Sequence, residues 1–169
     1  MKTQFLTLCK WLFVLLFLNV QTLIAQAQSA IHLEYPKAQE EVMETMGGIV
    51  QSIKDGDIEK LIAFHAYGPK FTEFNMGEPR VGSKGNEATE RHVFGNVTEV
   101  VKFDANDLKV AVYYGNVANV TFHSDFHLKF GDELVVVNNQ ISLLFVKDNT
   151  GDWKIVHEHH SPLNQQKGS

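Results

Sequence analysis

The sequence predicts an α+β domain in which helices pack on one face of a curved antiparallel sheet. Apolar residues recur at helical spacing in the first half, at Val42, Met46, Ile49, Val50 and Ile53. From Thr98 onward the pattern changes to segments rich in Val, Phe and Tyr, separated by polar turns. Helices followed by a meander of strands give this class.

The elements follow in order. Met1 to about Ala27 carries Lys2 and Lys10, an apolar run from Trp11 to Val20, and small residues at Ala25 and Ala27. That pattern reads as a secretory signal peptide cleaved near Ala27, and the competing reading is an uncleaved N-terminal anchor. The run is short for a bilayer span, which needs about 20 residues. One domain is then expected over residues 28–169, exported to the periplasm or the outside. Pro36 suits a first helical turn, and Lys54-Asp55-Gly56-Asp57 ends that helix and caps a second one bearing Ile58, Leu61 and Ile62. Gly68-Pro69 breaks the second helix, Phe71 to Phe74 reads as a short strand, and Asn86 is placed to cap a third helix running through Arg91 towards Phe94. Strands are expected at Val100 to Phe103, from Lys109 through Tyr114 towards Leu128, at Leu134 to Val146, and at Trp153 to His160. The turns between them fall at Asp104 to Asp107, Gly131-Asp132 and Asn149 to Asp152.

Charge and cysteine content exclude several functions. The chain has a formal net charge of −5, and removing the basic leader takes the remainder to −7. That sign repels phosphate backbones and anionic lipid, so neither a nucleic acid nor, after cleavage, a membrane is expected as a partner. The one cysteine, Cys9, lies in the leader, so an exported domain must hold together by burial without disulfides. No phosphate-cradling glycine motif and no Gly-x-Ser-x-Gly elbow is present. Asn96-Val97-Thr98 and Asn119-Val120-Thr121 fit the glycosylation acceptor pattern, which arises often by chance.

The chemistry-bearing residue types concentrate in the last strand. Strict alternation puts Trp153, Ile155, His157 and His159 on one face and Lys154, Val156, Glu158 and His160 on the other. Apolar groups at one end of a face and two imidazoles at the other describe a strand that enters a core and ends at a polar site. His157 and His159, roughly 7 Å apart along the strand, could act as base or hydrogen-bond partners, or be held in plain cross-strand hydrogen bonds. A metal would need further ligands, for which His123, Asp125 and His127 share a face. Phe122, Ser124, Phe126 and Leu128 form the more apolar opposite face, which turns that His-Asp-His row outward unless a bulge reverses the phase. No metal and no cofactor is expected. Glu73 could serve as an acid or base if buried.

Trp153-x-Ile155-x-His157-x-His159-x-Ser161, together with Lys54 to Asp57, Phe71 to Phe74 and the glycine loop and helix over Gly85 to Phe94, resembles the nuclear transport factor 2-like superfamily. Within it the chain is similar to SnoaL-like domains and to the association domain of calcium/calmodulin-dependent kinase II. The resemblance implies a cone-shaped sheet around an apolar pocket, and a homodimer formed through the outer sheet face. It does not imply one activity. The pocket-lining residues expected are His65, Phe74, Arg91, Tyr113, Trp153, His157 and His159. For a catalytic function the expected base is His157 or Asp125, with Tyr67 or Tyr113 as oxyanion donor. Three functions follow as expectations: binding of a small, partly apolar molecule; acid–base lyase or isomerase chemistry on a carbonyl compound; or dimeric assembly around a vestigial pocket.

Overall fold

Pro36 opens the first helix, α1 (Pro36–Asp55), whose buried stripe is Ala38, Val42, Met46, Ser52 and Ile53. Gly56 ends it in the left-handed region at φ 66°, where glycine carries no Cβ penalty. Its amide and that of Asp57 bond back to Ile53 and Ser52 carbonyls at 3.2 and 2.9 Å. Asp57 then caps α2 (Ile58–Ala63), accepting the Lys60 amide at 3.0 Å. One tetrapeptide thus stops one helix and starts the next, as its composition predicts. The computed structural model describes residues 31–163, within which residues 31–34 hold a turn and no helix or strand; the expected signal segment lies outside the described residues. Everything below concerns the unit that begins at Tyr35.

The remaining elements are β1 (Thr72–Asn75), α3 (Gly82–Gly95), β2 (Glu99–Tyr113), β3 (Val117–Phe130), β4 (Glu133–Val137), β5 (Asn139–Lys147) and β6 (Trp153–Pro162). They form one six-stranded sheet ordered β1-β6-β5-β3-β2, with β4 also paired to β3. Every pairing is antiparallel except β1 on β6. The curled sheet and its three helices make the cone fold that the resemblance implies.

Four boundaries depart from the expected ones. The strand expected from Lys109 through Tyr114 towards Leu128 is two, β2 and β3, joined by a tight turn over Tyr114-Gly115-Asn116 in which Tyr114 and Gly115 take positive φ. Asp104 to Asp107 is no turn: β2 runs straight through it, absorbing the polar residues in a register shift between Asn106 and Lys109, with Asp107 at φ 50°. An exposed edge strand tolerates such residues because one of its faces is solvated. The expected strand from Leu134 to Val146 is interrupted at Asn138. There the buried Ser124 hydroxyl donates to the Val137 carbonyl at 2.9 Å and accepts the Asn139 amide at 2.8 Å, stapling the break. Finally α3 starts at Gly82, four residues before Asn86.

The core lies between the sheet's inner face and α1, and includes Val42, Phe71, Ala118, Val120, Phe122, Phe145, Trp153 and Ile155. Phe145 is fully enclosed at 0 % exposure. Its truncation to Ala is expected to destabilise the fold by about 3–5 kcal/mol through lost burial and a residual cavity. Urea unfolding should show this as a lower midpoint with an unchanged slope; a loss below about 1 kcal/mol would place Phe145 outside the core.

Candidate functional site

A single bulge decides what faces the cone interior. On β6, His157 pairs with Leu144 and Ile155 with Phe145, so Val156 is the extra residue. Trp153 and Ile155 point inward as alternation predicts, but beyond Val156 the phase reverses. Glu158 and His160 now enter the interior, while His157 and His159 pass to the outer face. The burial sequence records the switch: Trp153, Ile155 and Glu158 are buried, and His159 is exposed. The inward orientation expected for His157 and His159 is therefore corrected.

The parallel partner β1 extends this inner face. Glu73 lies beside Glu158 and Asn75 beside His160. On the other side β5 and β3 contribute Ile141, Phe126 and Leu128, and α3 closes the roof with Asn86, Thr89, Glu90, Val93 and Phe94. Together they enclose a cavity of about 540 Å³. A narrower space of about 90 Å³ runs deeper towards Ile49, Ile53, Leu61 and His65, and shares Glu90, Phe94, Phe126, Ile141, Glu158 and His160 with the first. The cavity is polar on its β1–β6 side and apolar on its β3–β5 side.

His65 reaches the polar side because the chain after α2 bonds to β6: the Phe64 carbonyl accepts the Ile155 amide, and the Ala66 amide donates to the Ile155 carbonyl, each at 2.8 Å. Its Nε2 meets Glu158 Oε1 at 2.7 Å, with both side chains almost wholly buried. Its Nδ1 lies 3.2 Å from the Leu61 carbonyl, which can only accept, so Nδ1 bears a hydrogen. The short Nε2 contact to a carboxylate needs a second proton, which makes this an imidazolium–carboxylate pair. Burial opposes the charge on His65, but the hydrogen bond and charge of Glu158 outweigh it and raise the imidazole pKa. Burial likewise opposes ionisation of Glu158, and His160 with His65 overcomes it, holding the carboxyl below its usual range. His160 contributes as a nearby charge, since its Nε2 is 3.6 Å from Glu158 Oε2.

Glu90 differs from Glu158. Burial, then the Glu158 charge, push its carboxyl well above the usual carboxylate range, and His65 and His160 pull only partly the other way. Two neighbouring carboxyls are thus driven apart, Glu158 held ionised and Glu90 pushed up to about 7. Tyr67 stacks on His65 with centroids 4.9 Å apart and rings 5° from parallel. Its hydroxyl accepts from Asn86 Nδ2 at 3.1 Å, and burial with the Glu90 and Glu158 charges keeps the phenol protonated. Glu73 is 2 % exposed. Its Oε1 accepts the amides of Val81 and Gly82 at 2.8 Å each, capping α3 from a neighbouring strand. That is why α3 starts early and why Asn86 is free to bond Tyr67.

The other expected site residues lie elsewhere. Asp125 faces outward, held ionised by Lys102 first and by His127 at 2.8 Å. His157 Nδ1 lies 2.8 Å from the Thr72 hydroxyl on the outer face. Phe74 packs edge-on against His157 and His159 and under Arg80, and also touches the rim of the cavity. Arg91 is committed to Glu59 at 2.6 Å and Glu87 at 2.9 Å, away from the cavity. Tyr113 is exposed at the end of β2, and Trp153 is a core residue whose Nε1 donates to Glu41 at 3.2 Å. Trp153 also lines a separate charged groove of about 570 Å³ with Glu41, Lys60 and Lys154. Of the expected residues, the structure brings His65, Tyr67, Glu73 and Phe74 to the cavity or its supports. Glu90, Glu158 and His160 were not anticipated. Among the described residues, no group of three or more His, Cys, Asp or Glu side chains is arranged to hold a metal ion.

Solved structures share this fold. A candidate dehydratase of the NTF2-like family from Streptomyces avermitilis superposes with a TM-score of 0.63 at 21% identity, covering 75% of this chain and 96% of its own. A candidate aromatic ring hydroxylase from Novosphingobium aromaticivorans gives 0.64 at 16% identity, covering 81% and 96%. A candidate calcium/calmodulin-dependent kinase II association domain from Exiguobacterium sibiricum gives 0.62 at 13% identity, covering 79% and 99%. A search of curated proteins finds no match. The family model described as "SnoaL-like domain" matches residues 42–165, spanning both helices and sheet of the cone, and the chain belongs to that family.

Proposed function

We propose that this is an exported SnoaL-like domain that binds a small, partly apolar molecule in the cavity beneath α3. The observation that carries the reading is the division of the cavity wall. Phe94, Phe126, Leu128 and Ile141 offer an apolar seat, while Asn86, Glu90, Glu158 and His160 converge from the other side. Export rests on the leader's composition, and pairing into a homodimer through the outer sheet face rests on the superfamily resemblance.

Native mass spectrometry of the chain purified from its own host compartment tests the reading. A retained organic molecule, lost when Phe126→Trp fills the cavity, is the expected result. A clean dimer that takes up no small molecule would favour assembly around a vestigial pocket.

A second reading, acid–base lyase or isomerase chemistry on a carbonyl compound, is favoured by Glu90 and Glu158. Environments that push two carboxyls apart define an acid and a base. In the dehydration of a β-hydroxyketone, Glu158 has the charge to take the α-proton. Glu90 has the proton to give to the departing hydroxyl, which leaves as water. A dehydratase is also among the assignments carried by the structural neighbours.

A further inference from the structure

We infer that Glu73 selects the ligand's head group: the cavity takes a molecule whose polar end donates a hydrogen bond, a hydroxyl or an ammonium, and rejects carboxylates. The inference rests on the proposed binding function and adds the chemistry of the bound group.

Among the described residues, Glu73 Oε2 is the buried side-chain oxygen left without a hydrogen-bond partner. A buried acceptor left unmade costs about 1–3 kcal/mol, so a partner supplied by the ligand returns that loss as affinity and specificity. The strand geometry puts Glu73 where a ligand can supply it. Glu73 neighbours Glu158 in the parallel ladder, and both line the cavity. Its other oxygen is fully used by the Val81 and Gly82 amides, which fix the carboxyl in place.

The rest of the wall agrees on sign. Glu73, Glu90 and Glu158 line the cavity with His160, and no lysine or arginine does. His65, which supplies the other positive charge, is already bonded to Glu158. An anionic head group would therefore face the ionised Glu158 and the unpaired Glu73 oxygen with no lysine or arginine to pair it, a desolvation cost that the Glu90 proton and His160 return only in part. A hydroxyl or ammonium supplies the donor that the enclosed Glu73 oxygen lacks. The two sources of donor are separable by experiment.

The test measures the binding of four probes that share a phenylpropyl body, followed by isothermal titration and by amide chemical shifts of cavity residues. Phenylpropanol carries a neutral donor, phenylpropylamine a cationic one, phenylpropionate an anionic acceptor, and propylbenzene no head group. Expected is binding of the alcohol or the amine about tenfold or more above phenylpropionate, with the better of the two naming the source. Glu73→Gln keeps an oxygen for the α3 amides but turns the open acceptor into an amide donor. It is expected to remove most of that preference, about tenfold, and to improve phenylpropionate, while leaving propylbenzene unchanged. Chemical shifts of Val81 and Gly82 report whether the cap survives in the variant. Should propylbenzene bind while the head groups are not discriminated, or should Glu73→Gln leave the preference intact, the assignment to Glu73 fails and the binding cavity stands. Should none of the four bind, both fall.

Discussion

Replacing His65 by Ala is expected to destabilise the domain by about 3–5 kcal/mol, lowering Tm by roughly 10–20 °C. The substitution leaves Glu158 buried and charged with only His160 at 3.6 Å as counter-ion. Most of the loss is thus the penalty of an abandoned charge, not the net contribution of the pair. The double variant His65→Phe/Glu158→Leu separates the two. Removing both charges is expected to recover most of the stability, since a buried pair and an apolar pair of similar volume are often close in free energy. Differential scanning calorimetry on wild type, His65→Phe, Glu158→Leu and their double variant measures the coupling. If the single variant loses under 1 kcal/mol, or the double is worse than the two singles combined, the pair is not the buried salt bridge described here.

The same pair sets how stability follows pH. His65 has a raised pKa in the folded state, so its contribution is complete below the unfolded imidazole value and is lost as pH rises through the folded one. Glu158 is depressed, so its contribution is complete above the unfolded carboxylate value and is lost as pH falls through the folded one. Glu90 is raised, and its ionisation erodes stability in the alkaline direction. Stability should therefore peak at weakly acidic pH, fall towards neutrality as Glu90 ionises through about 7, and fall further as His65 loses its proton. In His65→Ala the alkaline edge set by the imidazole should disappear.

The second large effect falls on chemistry. For an aromatic β-hydroxyketone that fits the cavity, Glu90→Gln is expected to lower kcat/KM by about 10²–10⁴, the usual contribution of a positioned general acid. Gln keeps the shape and cannot give a proton. A general acid at Glu90 works only in its protonated form, so on this reading wild-type activity is expected to fall as pH rises through about 7. In Glu158→Gln the charge that helps raise it is gone, so the titration of Glu90 itself should move to lower pH. Direct observation of the Glu90 carboxyl carbon by NMR titration gives the same quantity without a substrate. A Glu90 that titrates in the ordinary carboxylate range would end the acid assignment, whatever the turnover.

The fold was legible because its signals are local and redundant. Gly56 and Asp57 act as the stop and start they look like. The Phe122, Ser124, Phe126 and Leu128 face is inward, as its composition requires, and the His123-Asp125-His127 row is outward. The site was less legible, for three identifiable reasons. Val156 is an ordinary strand residue, and nothing in the sequence says that it is a bulge, yet it determines whether His157 or Glu158 faces the cavity. Asn86 looks like a helix cap, and the true cap, Glu73 on β1, is donated across space from a residue with no local mark of that role. Glu90 looks like a solvated helical charge until β6 is laid beneath it, because its weakened acidity comes from burial and then from Glu158, distant in the chain. His65 could be suspected from its place at a helix end, but its partner could not, since they are 93 residues apart.

One consequence of the Val156 bulge concerns how such a domain changes over time. The segment His157-Glu158-His159-His160 is two interleaved messages, histidines on odd positions and a Glu–His couple on even ones, and the strand displays one to the interior and the other to the outside. A single inserted or deleted residue exchanges them, as a frameshift exchanges codons. The lineage that carries this strand can therefore swap the chemistry of its cavity for that of its outer wall in one step, without altering a side chain, while Trp153 and Ile155 continue to anchor the strand in the core.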